Sequence, residues 1–378
     1  MASFSEQDRC WMARAIQLAA KGRYTTHPNP RVGCVLVRDG DIVGEGFHVR
    51  AGEGHAEVNA LRMAGDRAFG ATAYVTLEPC SHHGKTPPCA EALVQARVAR
   101  VVSAMVDPNP QVAGRGIKRL RNAGIEASSG LLEAEAKALN LGFIKRMEQG
   151  LPYIRVKTAS SLDGRTAMQS GESQWITGAA ARSDVQRLRA QSSVIVTGVD
   201  SILHDDSSLT VRENELQLDN AAEIVQKQPL RVVLDSQLRM PLNAKILRQP
   251  GRTLIATVSH DAGKTGALIQ AGAEVVQLSA VQGHVSIKAL LEHLVVAEQC
   301  NELLIETGAK LAGAFIRAGV VDELVVYQAM TLMGSDARPM YALPYAKMDE
   351  QIRLQLLDSR MLGDDLRLNL RPVYTEKN

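Results

Sequence analysis

Two stretches decide the fold of the N-terminal half: GHAEVNALRMA at residues 54–64 and TLEPCSHHGKTPPC at residues 76–89. The first has helical spacing, with Val58, Leu61 and Ala64 on one face, and β-type runs precede it in the sequence. The second follows a β-rich run and ends just after two prolines, where a new helix is expected. Together they supply imidazole and thiol groups at the ends of regular elements, within an alternating strand and helix pattern.

That alternation extends through the first half and predicts an α/β sandwich. The predicted strands lie at residues 32–37, 42–49, 71–77 and 101–106, and the predicted helices at 55–64 and 88–98. An Asp-Gly turn joins the first two strands as a hairpin. Residues 1–22 mix acids and bases in an amphipathic pattern, so we expect a first helix there rather than a signal peptide.

The pattern restarts after a boundary expected near residues 140–152, which predicts a second α/β domain. We place the domains at 1–147 and 148–378. Predicted strands lie at 153–159, 194–198, 230–234, 253–258, 274–278, 303–306 and 323–328, and predicted helices at 178–190, 262–271, 286–297 and 311–318. This half lacks the glycine pattern of a Rossmann site. Gly308, between a strand and a helix, could hold a phosphate or form a plain turn.

Composition excludes several classes of function. The chain has 378 residues, a net charge of +2 and 4% aromatic residues, which argues against a nucleic-acid partner. No apolar run is long enough to span a bilayer. The five cysteines are an odd number without a disulfide pattern. We therefore expect a cytoplasmic enzyme with a small-molecule substrate and no membrane partner.

The candidate metal ligands are His55, Cys80 and Cys89. Imidazole and thiolate are donors that zinc prefers, and three protein ligands leave a position at which water can be activated. Glu57, two residues after His55, could move protons as a general acid and base without binding the metal. Two alternatives stay open: a core cysteine pair beside a surface histidine, or a structural zinc whose fourth ligand is His82 or His83.

The sequence resembles the bifunctional deaminase–reductase family of riboflavin biosynthesis along nearly its whole length. The resemblance is carried by these motifs: THPNPRVGCV (26–35), HAE (55–57), TLEPCSHHGKTPPC (76–89), DPNP (107–110), SLDGRTA (161–167), SGESQWIT (170–177), DVQRLR (184–189), DD (205–206), LTVR (209–212), ETG (306–308) and LAG (311–313). It implies a cytidine-deaminase-like α/β/α domain, then a dihydrofolate-reductase-like α/β domain that uses NADPH. It also implies a homo-oligomer, a dimer or tetramer.

The resemblance further implies roles for individual residues. The expected pyrimidine contacts of the deaminase are Asn29, His48, His82, Lys85 and Thr86. The expected substrate contacts of the reductase are Ser173, Arg189, Leu209, Arg212 and Glu306. The expected cofactor neighbours are Ala159, Trp175, Ser201, Asp205, Ser236, Gly308, Ala309, Lys310, Leu311, Ala312, Gly313 and Ala314. Each arginine alone could be a solvated surface charge, and Trp175 could be a core residue. His48 and His82 could be ordinary histidines, and Asp163-Gly164 is expected to be a turn.

The reactions implied are hydrolytic deamination of 2,5-diamino-6-(5-phosphoribosylamino)pyrimidin-4-one, then NADPH-dependent reduction of its ribosyl group to a ribityl chain. Three alternatives remain at this point. The deaminase could act on another amino-heterocycle or on a nucleic acid. The second domain could be a non-catalytic binding or assembly module. Zinc could stabilise a scaffold that has no catalytic activity.

Overall fold

The computed structural model describes residues 4–81, 88–110 and 112–374. The chain divides into two compact units, Met1–Leu151 and Pro152–Asn378. The division falls just beyond a helix, Leu141–Gln149, which contains residue 147. Among the described residues, no helix combines the length and apolar character needed to cross a bilayer.

The first unit is one mixed sheet with helices packed on it. Its elements are α1 (Glu6–Lys21), β1 (Gly33–Arg38), β2 (Asp41–Phe47), α2 (Ala56–Ala64), β3 (Thr72–Val75), α3 (Cys89–Gln95), β4 (Arg100–Ser103), α4 (Arg115–Asn122), β5 (Glu126–Ser129), α5 (Glu133–Leu139) and α6 (Leu141–Gln149). Its described strands run in the order β2-β1-β3-β4-β5, with β1 antiparallel to both neighbours and β3, β4 and β5 parallel.

Helix α2 lies close to β2 because two glycines of that strand face it. A Cβ atom at Gly46 would lie 2.4 Å from the Ala56 carbonyl oxygen, and one at Gly44 would lie 2.3 Å from that of Ala60. Real Cβ atoms do not approach backbone this closely, so only glycine permits this packing. The consequence is that the start of α2 is fixed tightly against the sheet.

The second unit is built on a larger, mostly parallel sheet. Its elements are β6 (Tyr153–Ser161), β7 (Arg165–Ala167), α7 (Ala179–Gln191), β8 (Val194–Gly198), α8 (Val199–Asp205), α9 (Glu213–Leu216), α10 (Ala221–Ile224), β9 (Leu230–Leu234), β10 (Thr253–Thr257), α11 (Ala262–Gln270), β11 (Glu274–Gln277), β12 (Ala280–Val281), β13 (His284–Val285), α12 (Ile287–Val296), β14 (Glu302–Glu306), α13 (Ala309–Arg317), β15 (Glu323–Ala329), β16 (Arg338–Pro339), β17 (Arg353–Leu362) and β18 (Asp365–Val373).

Nine strands of the described second unit pair in the order β11-β10-β9-β8-β14-β6-β15-β18-β17. The chain runs outward from β8 to β11 and then returns, so β14 lies between β8 and β6 and is parallel to both. Strands β8, β9, β10 and β14 are almost wholly buried, as expected for parallel strands covered on both faces. Ligands of open parallel sheets bind outside the carboxyl ends of such strands.

The α/β class of both halves is confirmed, and most predicted elements are present within a few residues. Strands β8 and β9 have the predicted bounds. The prediction was incomplete at α4, β5, α5 and α6, and at the hairpin of β17 and β18. Residues 206–212 form no regular element, and α9 follows them.

Candidate metal centre and reductase site

The three candidate ligands lie together in the first unit. His55 is the N-cap residue of α2, and Cys89 is the first residue of α3. The His55 Nδ1 atom lies 3.2 Å from Cys89 Sγ and 3.6 Å from Cys80 Sγ, and the three donor atoms are all within 4.8 Å of one another. A tetrahedral zinc with ordinary bond lengths separates its donors by about 3.5 Å. The donor set therefore fits zinc in both chemistry and spacing.

Cys80 lies on no helix or strand, and its position is set by hydrogen bonds. The Cys89 backbone N–H donates to Cys80 Sγ at 3.3 Å, and the Ala90 N–H donates to the Cys80 carbonyl at 3.1 Å. Hydrogen bonds from Cys89 and His55 lower the pKa of the Cys80 thiol well below its ordinary value, although burial opposes them. The start of α3 thus favours Cys80 as the thiolate that a metal requires.

Glu57 lies in the first turn of α2 and is buried, with 3% of its surface exposed. Burial, with a smaller contribution from the charge of Cys80, raises the pKa of Glu57 to about 7. A carboxyl group in this range can hold or release a proton near neutral pH. Glu57 therefore has the location and proton affinity expected of a general acid and base.

Two of the predicted pyrimidine contacts border this centre. Asn29 Nδ2 and His48 Nε2 are 3.0 Å apart, and the His48 ring meets the His55 ring edge-on with centroids 5.4 Å apart. His48 Nδ1 lies 3.2 Å from the Gly54 carbonyl, and burial lowers the pKa of His48. The other three predicted contacts, His82, Lys85 and Thr86, lie outside the described residues, as does His83.

Most of the predicted cofactor neighbours lie at or beyond the carboxyl ends of four parallel strands of the second unit. Ala159 lies in β6, Ser201 and Asp205 in α8 after β8, Ser236 after β9, and Gly308 to Ala314 after β14. Gly308 is the N-cap of α13, which begins at Ala309, earlier than the predicted Leu311. The Gly198 N–H donates to Thr307 Oγ1 at 3.3 Å, which joins the carboxyl ends of β8 and β14. The structure therefore brings these residues to one edge of the sheet.

Two predicted substrate contacts, Arg189 and Glu306, form a buried ion pair. Arg189 Nε and Nη2 donate to the two carboxylate oxygens of Glu306 at 2.6 and 3.0 Å, and Arg189 Nη1 donates to the Thr210 carbonyl. Lys157 Nζ lies 3.6 Å from Glu306. Burial would raise the pKa of Glu306, but the charges and hydrogen bonds of Arg189 and Lys157 outweigh it and hold the pKa at about 2. The alternative of a solvated surface charge is wrong for Arg189.

The remaining predicted contacts are less enclosed. Arg212 is exposed, as a surface charge would be, and pairs with Glu215 at 2.7 Å. Ser173 Oγ donates to Asp205 Oδ1 at 3.3 Å, so a predicted substrate contact touches a predicted cofactor neighbour. Leu209 is buried with a positive φ of 52°.

Trp175 is 67% exposed, with the Arg182 guanidinium 4.7 Å from the centre of its ring. The core-packing alternative for Trp175 is therefore wrong. The predicted turn at Asp163-Gly164 is confirmed, and Asp163 accepts hydrogen bonds from the Met333 and Gly334 amides.

Sequence reasoning gave no role to Lys157 or Glu78. Lys157 is the one lysine of β6, a strand that is mostly buried, and this position was the only feature that could have indicated a role for it. Glu78 stands two residues before Cys80, and its carboxylate accepts four backbone hydrogen bonds.

Comparisons with known proteins agree with both halves of this description. Residues 5–105 match the profile of the cytidine and deoxycytidylate deaminase zinc-binding region, and residues 152–368 match that of the RibD C-terminal domain. Two curated relatives named riboflavin biosynthesis protein RibD are 52% identical (Escherichia coli K12, 96% of this chain and 99% of the relative) and 47% identical (Haemophilus influenzae, 98% and 99%).

Two solved structures superpose on nearly the whole chain. Acinetobacter baumannii RibD, form 1, has a TM-score of 0.90 with 49% identity, covering 98% of this chain and 99% of that one. The Thermotoga maritima diaminohydroxyphosphoribosylaminopyrimidine deaminase/5-amino-6-(5-phosphoribosylamino)uracil reductase has a TM-score of 0.84 with 31% identity, covering 97% and 99%. The chain therefore belongs to the RibD family and is a bifunctional enzyme of riboflavin biosynthesis, with a zinc-dependent deaminase and an NADPH-dependent reductase.

Proposed function

We propose that residues 1–147 deaminate 2,5-diamino-6-(5-phosphoribosylamino)pyrimidin-4-one and that residues 148–378 then reduce the ribosyl group of the product to a ribityl chain. The observation that carries the deaminase half is the cluster of His55, Cys80 and Cys89 with the buried carboxyl of Glu57 beside it. The name of the Thermotoga maritima relative supports the choice of substrate. Full-length coverage of that relative supports both steps in one chain.

In the deaminase, His55, Cys80 and Cys89 hold the zinc ion. When bound, zinc acts as a Lewis acid that makes water nucleophilic near neutral pH. Glu57 accepts the proton of the attacking water at its carboxylate and returns it to the departing amine. Asn29 and His48, which lie within hydrogen-bond distance of each other beside His55, orient the pyrimidine ring. His82, Lys85 and Thr86 are proposed to bind its phosphoribosyl group.

In the reductase, the backbone amides at the start of α13, after Gly308, bind the cofactor phosphates. When bound, NADPH supplies the hydride. Ala159, Trp175, Ser201, Asp205 and Ser236 are proposed to line the same cofactor site. Ala159 lies in β6, and Ser201, Asp205 and Ser236 follow the parallel strands β8 and β9, so these four residues could line an extended dinucleotide along one sheet edge.

The substrate of the reductase is proposed to contact Ser173, Leu209, Arg212 and the Arg189–Glu306 pair. Arg212 is accessible and can bind a phosphate through its planar guanidinium. Arg189 holds both carboxylate oxygens of Glu306, so Glu306 presents a fixed acceptor to a ribose hydroxyl. Alignment of the ribose carbon with the nicotinamide is the contribution expected from these side chains.

The test follows product mass with zinc-loaded protein. Exchange of an amino group for oxygen without NADPH, and a gain of two hydrogens only with NADPH, is the expected result. Glu57→Gln, which preserves volume, is expected to keep zinc and reductase activity and to lose deamination by at least about 100-fold. If Glu57→Gln deaminates normally, or if the wild type changes neither mass, the proposed assignment is wrong. If deamination occurred but no hydrogen was gained with NADPH, the proposed role of the second unit in reduction would be wrong and this unit would be a binding module.

We also propose a cytoplasmic homo-oligomer, a dimer or tetramer, with no nucleic-acid or membrane partner. Strand β17 forms an edge of the large sheet, and nearly all of its residues are exposed, among them Leu354, Leu356 and Met361. An exposed edge with apolar side chains favours pairing with another chain. Light scattering of the purified protein measures the assembly directly, and a monomer at micromolar concentration would refute it.

A further inference from the structure

Glu78 is a buried carboxylate between β3 and the first cysteine ligand. It is 3% exposed, and its own N–H donates to the Met105 carbonyl at 2.9 Å. Its Oε1 atom accepts from the N–H groups of Gly116 (2.8 Å) and Ile117 (3.1 Å), and its Oε2 atom from those of Gly114 (2.9 Å) and Asp107 (3.2 Å). A buried carboxylate with this many amide donors is well satisfied and strongly held.

These donors come from two places, the start of α4 and the loop that follows β4. Gly114, Gly116 and Ile117 are the N-cap and first turn of α4, and Gly114 offers no capping side chain of its own. Asp107 begins the DPNP segment after β4. The Glu78 carboxylate supplies the cap that α4 lacks, and it joins the loops that follow β3 and β4.

The same contact fixes the backbone next to Cys80. A Cβ atom at Gly116 would lie 2.0 Å from the Pro79 carbonyl oxygen, so the first turn of α4 lies directly against Pro79. Cys80 follows Pro79 and belongs to no regular element. Its place near His55 is therefore determined on one side by the Cys89 amide and on the other by the Glu78 anchor.

We propose that Glu78 is a positioning residue of the deaminase, which holds Cys80 at the metal centre by capping α4. This inference rests on the proposed assignment of His55, Cys80 and Cys89 as the zinc ligands. Residues that orient metal ligands from outside the coordination sphere typically contribute about 10–100-fold to metal affinity. Loss of the Glu78 charge should therefore weaken zinc binding, although Glu78 is not itself a zinc ligand.

The experiment compares full-length, zinc-loaded Glu78→Gln, Glu78→Asp and wild-type protein in a chelator competition that measures zinc release. Gln replaces one acceptor oxygen with a donor that faces backbone N–H groups. Zinc release from Glu78→Gln is expected to be at least about tenfold faster than from the wild type, with lower deaminase kcat and unchanged reductase activity. Glu78→Asp keeps the charge at shorter reach and should release zinc at an intermediate rate.

The matched control is Glu91→Gln. Glu91 pairs with Arg119 at 2.8 Å and joins α3 to α4 at the surface, so its loss should leave zinc release unchanged. The inference would be overturned if Glu78→Gln released zinc at the wild-type rate. It would also be overturned if the substitution lowered the melting temperature equally with and without zinc while the rate of zinc release stayed unchanged. If Glu78→Gln does not fold, the test rests on Glu78→Asp. Zinc release from Glu78→Asp at the wild-type rate would then overturn the inference. Wild-type zinc retention by Cys80→Ser would instead refute the ligand assignment itself.

Discussion

The buried charge pair of the second unit permits a quantitative prediction. Glu306 has an ordinary pKa of 4.5, and Arg189 and Lys157 lower it to about 2. Each pKa unit corresponds to about 1.4 kcal/mol, so the ionised carboxylate stabilises the folded unit by about 3 kcal/mol at pH 7. Replacing Glu306 with Gln removes the counter-charge that the buried Arg189 and Lys157 share. We therefore expect Glu306→Gln to lower the free energy of unfolding of this unit by about 3 kcal/mol.

The sign of the pH dependence follows from the direction of the shift. The folded pKa of Glu306 lies below that of the unfolded chain, so its stabilisation is complete above the unfolded pKa of about 4.5 and is lost as the pH falls toward 2. The stability difference between wild type and Glu306→Gln should therefore be constant from pH 7 to about 5. It should shrink as the pH falls below about 4.

Amide hydrogen exchange of peptides from β6 and β14 measures this difference, because whole-chain unfolding of two units is not two-state. A loss of about 3 kcal/mol corresponds to exchange about 100-fold faster at pH 7. The matched control is Glu292→Gln, whose exposed partner Lys288 lies 3.9 Å away, and it should change stability by less than about 0.5 kcal/mol. Equal exchange in wild type and Glu306→Gln, or a difference that grows toward acid pH, would refute the reasoning.

Three further predictions concern the metal, the packing and the assembly. Removing zinc with a chelator should abolish deamination and leave reduction of the deaminated substrate unchanged, because the donor cluster lies wholly in the first unit. Product mass measures both steps, and a loss of reduction together with deamination would contradict this prediction. Gly46→Ala should force α2 away from β2, because its Cβ would lie 2.4 Å from the Ala56 carbonyl oxygen. The substitution should destabilise the first unit by about 1–3 kcal/mol. A wild-type melting profile together with wild-type zinc content would contradict this prediction. Leu356→Glu on the exposed edge strand should shift the proposed oligomer toward monomers in light scattering, whereas an unchanged mass would place the interface elsewhere.

The predictable parts of the fold are those whose burial leaves a mark in the sequence. Strands β8 and β9 read as short runs of Val, Ile and Leu because they are covered on both faces, and their bounds were predicted correctly. Strand β17 carries arginines, an aspartate and exposed leucines, and its apolar alternation covers only residues 353–356, so no strand was predicted there. Its register comes from backbone pairing with β18 instead. Helix α4 was missed because Ile117 and Leu120 are the only large apolar residues in its sequence, too few to show a helical period.

In the candidate sites, too, features set by residue type could be predicted from the sequence, whereas contacts between distant residues could not. His55, Cys80 and Cys89 could be grouped from the sequence because zinc chemistry restricts the residue types that form such a site. The Arg189–Glu306 pair joins residues 117 positions apart, and no local pattern distinguishes Arg189 from a surface arginine. The four hydrogen bonds that the Glu78 carboxylate accepts could not be predicted from the sequence either. Their donors are backbone N–H groups, which residues of almost any type supply.

In both units, some of the candidate site residues follow the carboxyl ends of parallel strands, and each unit has its own sheet. In the first unit, Glu78 and Cys80 follow β3, and the DPNP segment follows its parallel neighbour β4. In the second, Ser201 and Asp205 follow β8, Ser236 follows β9, and Gly308 follows β14. Buried parallel strands fix the start of each loop, while helix starts such as those of α3 and α13 offer free N–H groups to thiolates or phosphates. Since each set of loops is held by its own sheet, a substitution that disturbs one site should leave the other active, and the bifunctional chain provides its own internal control.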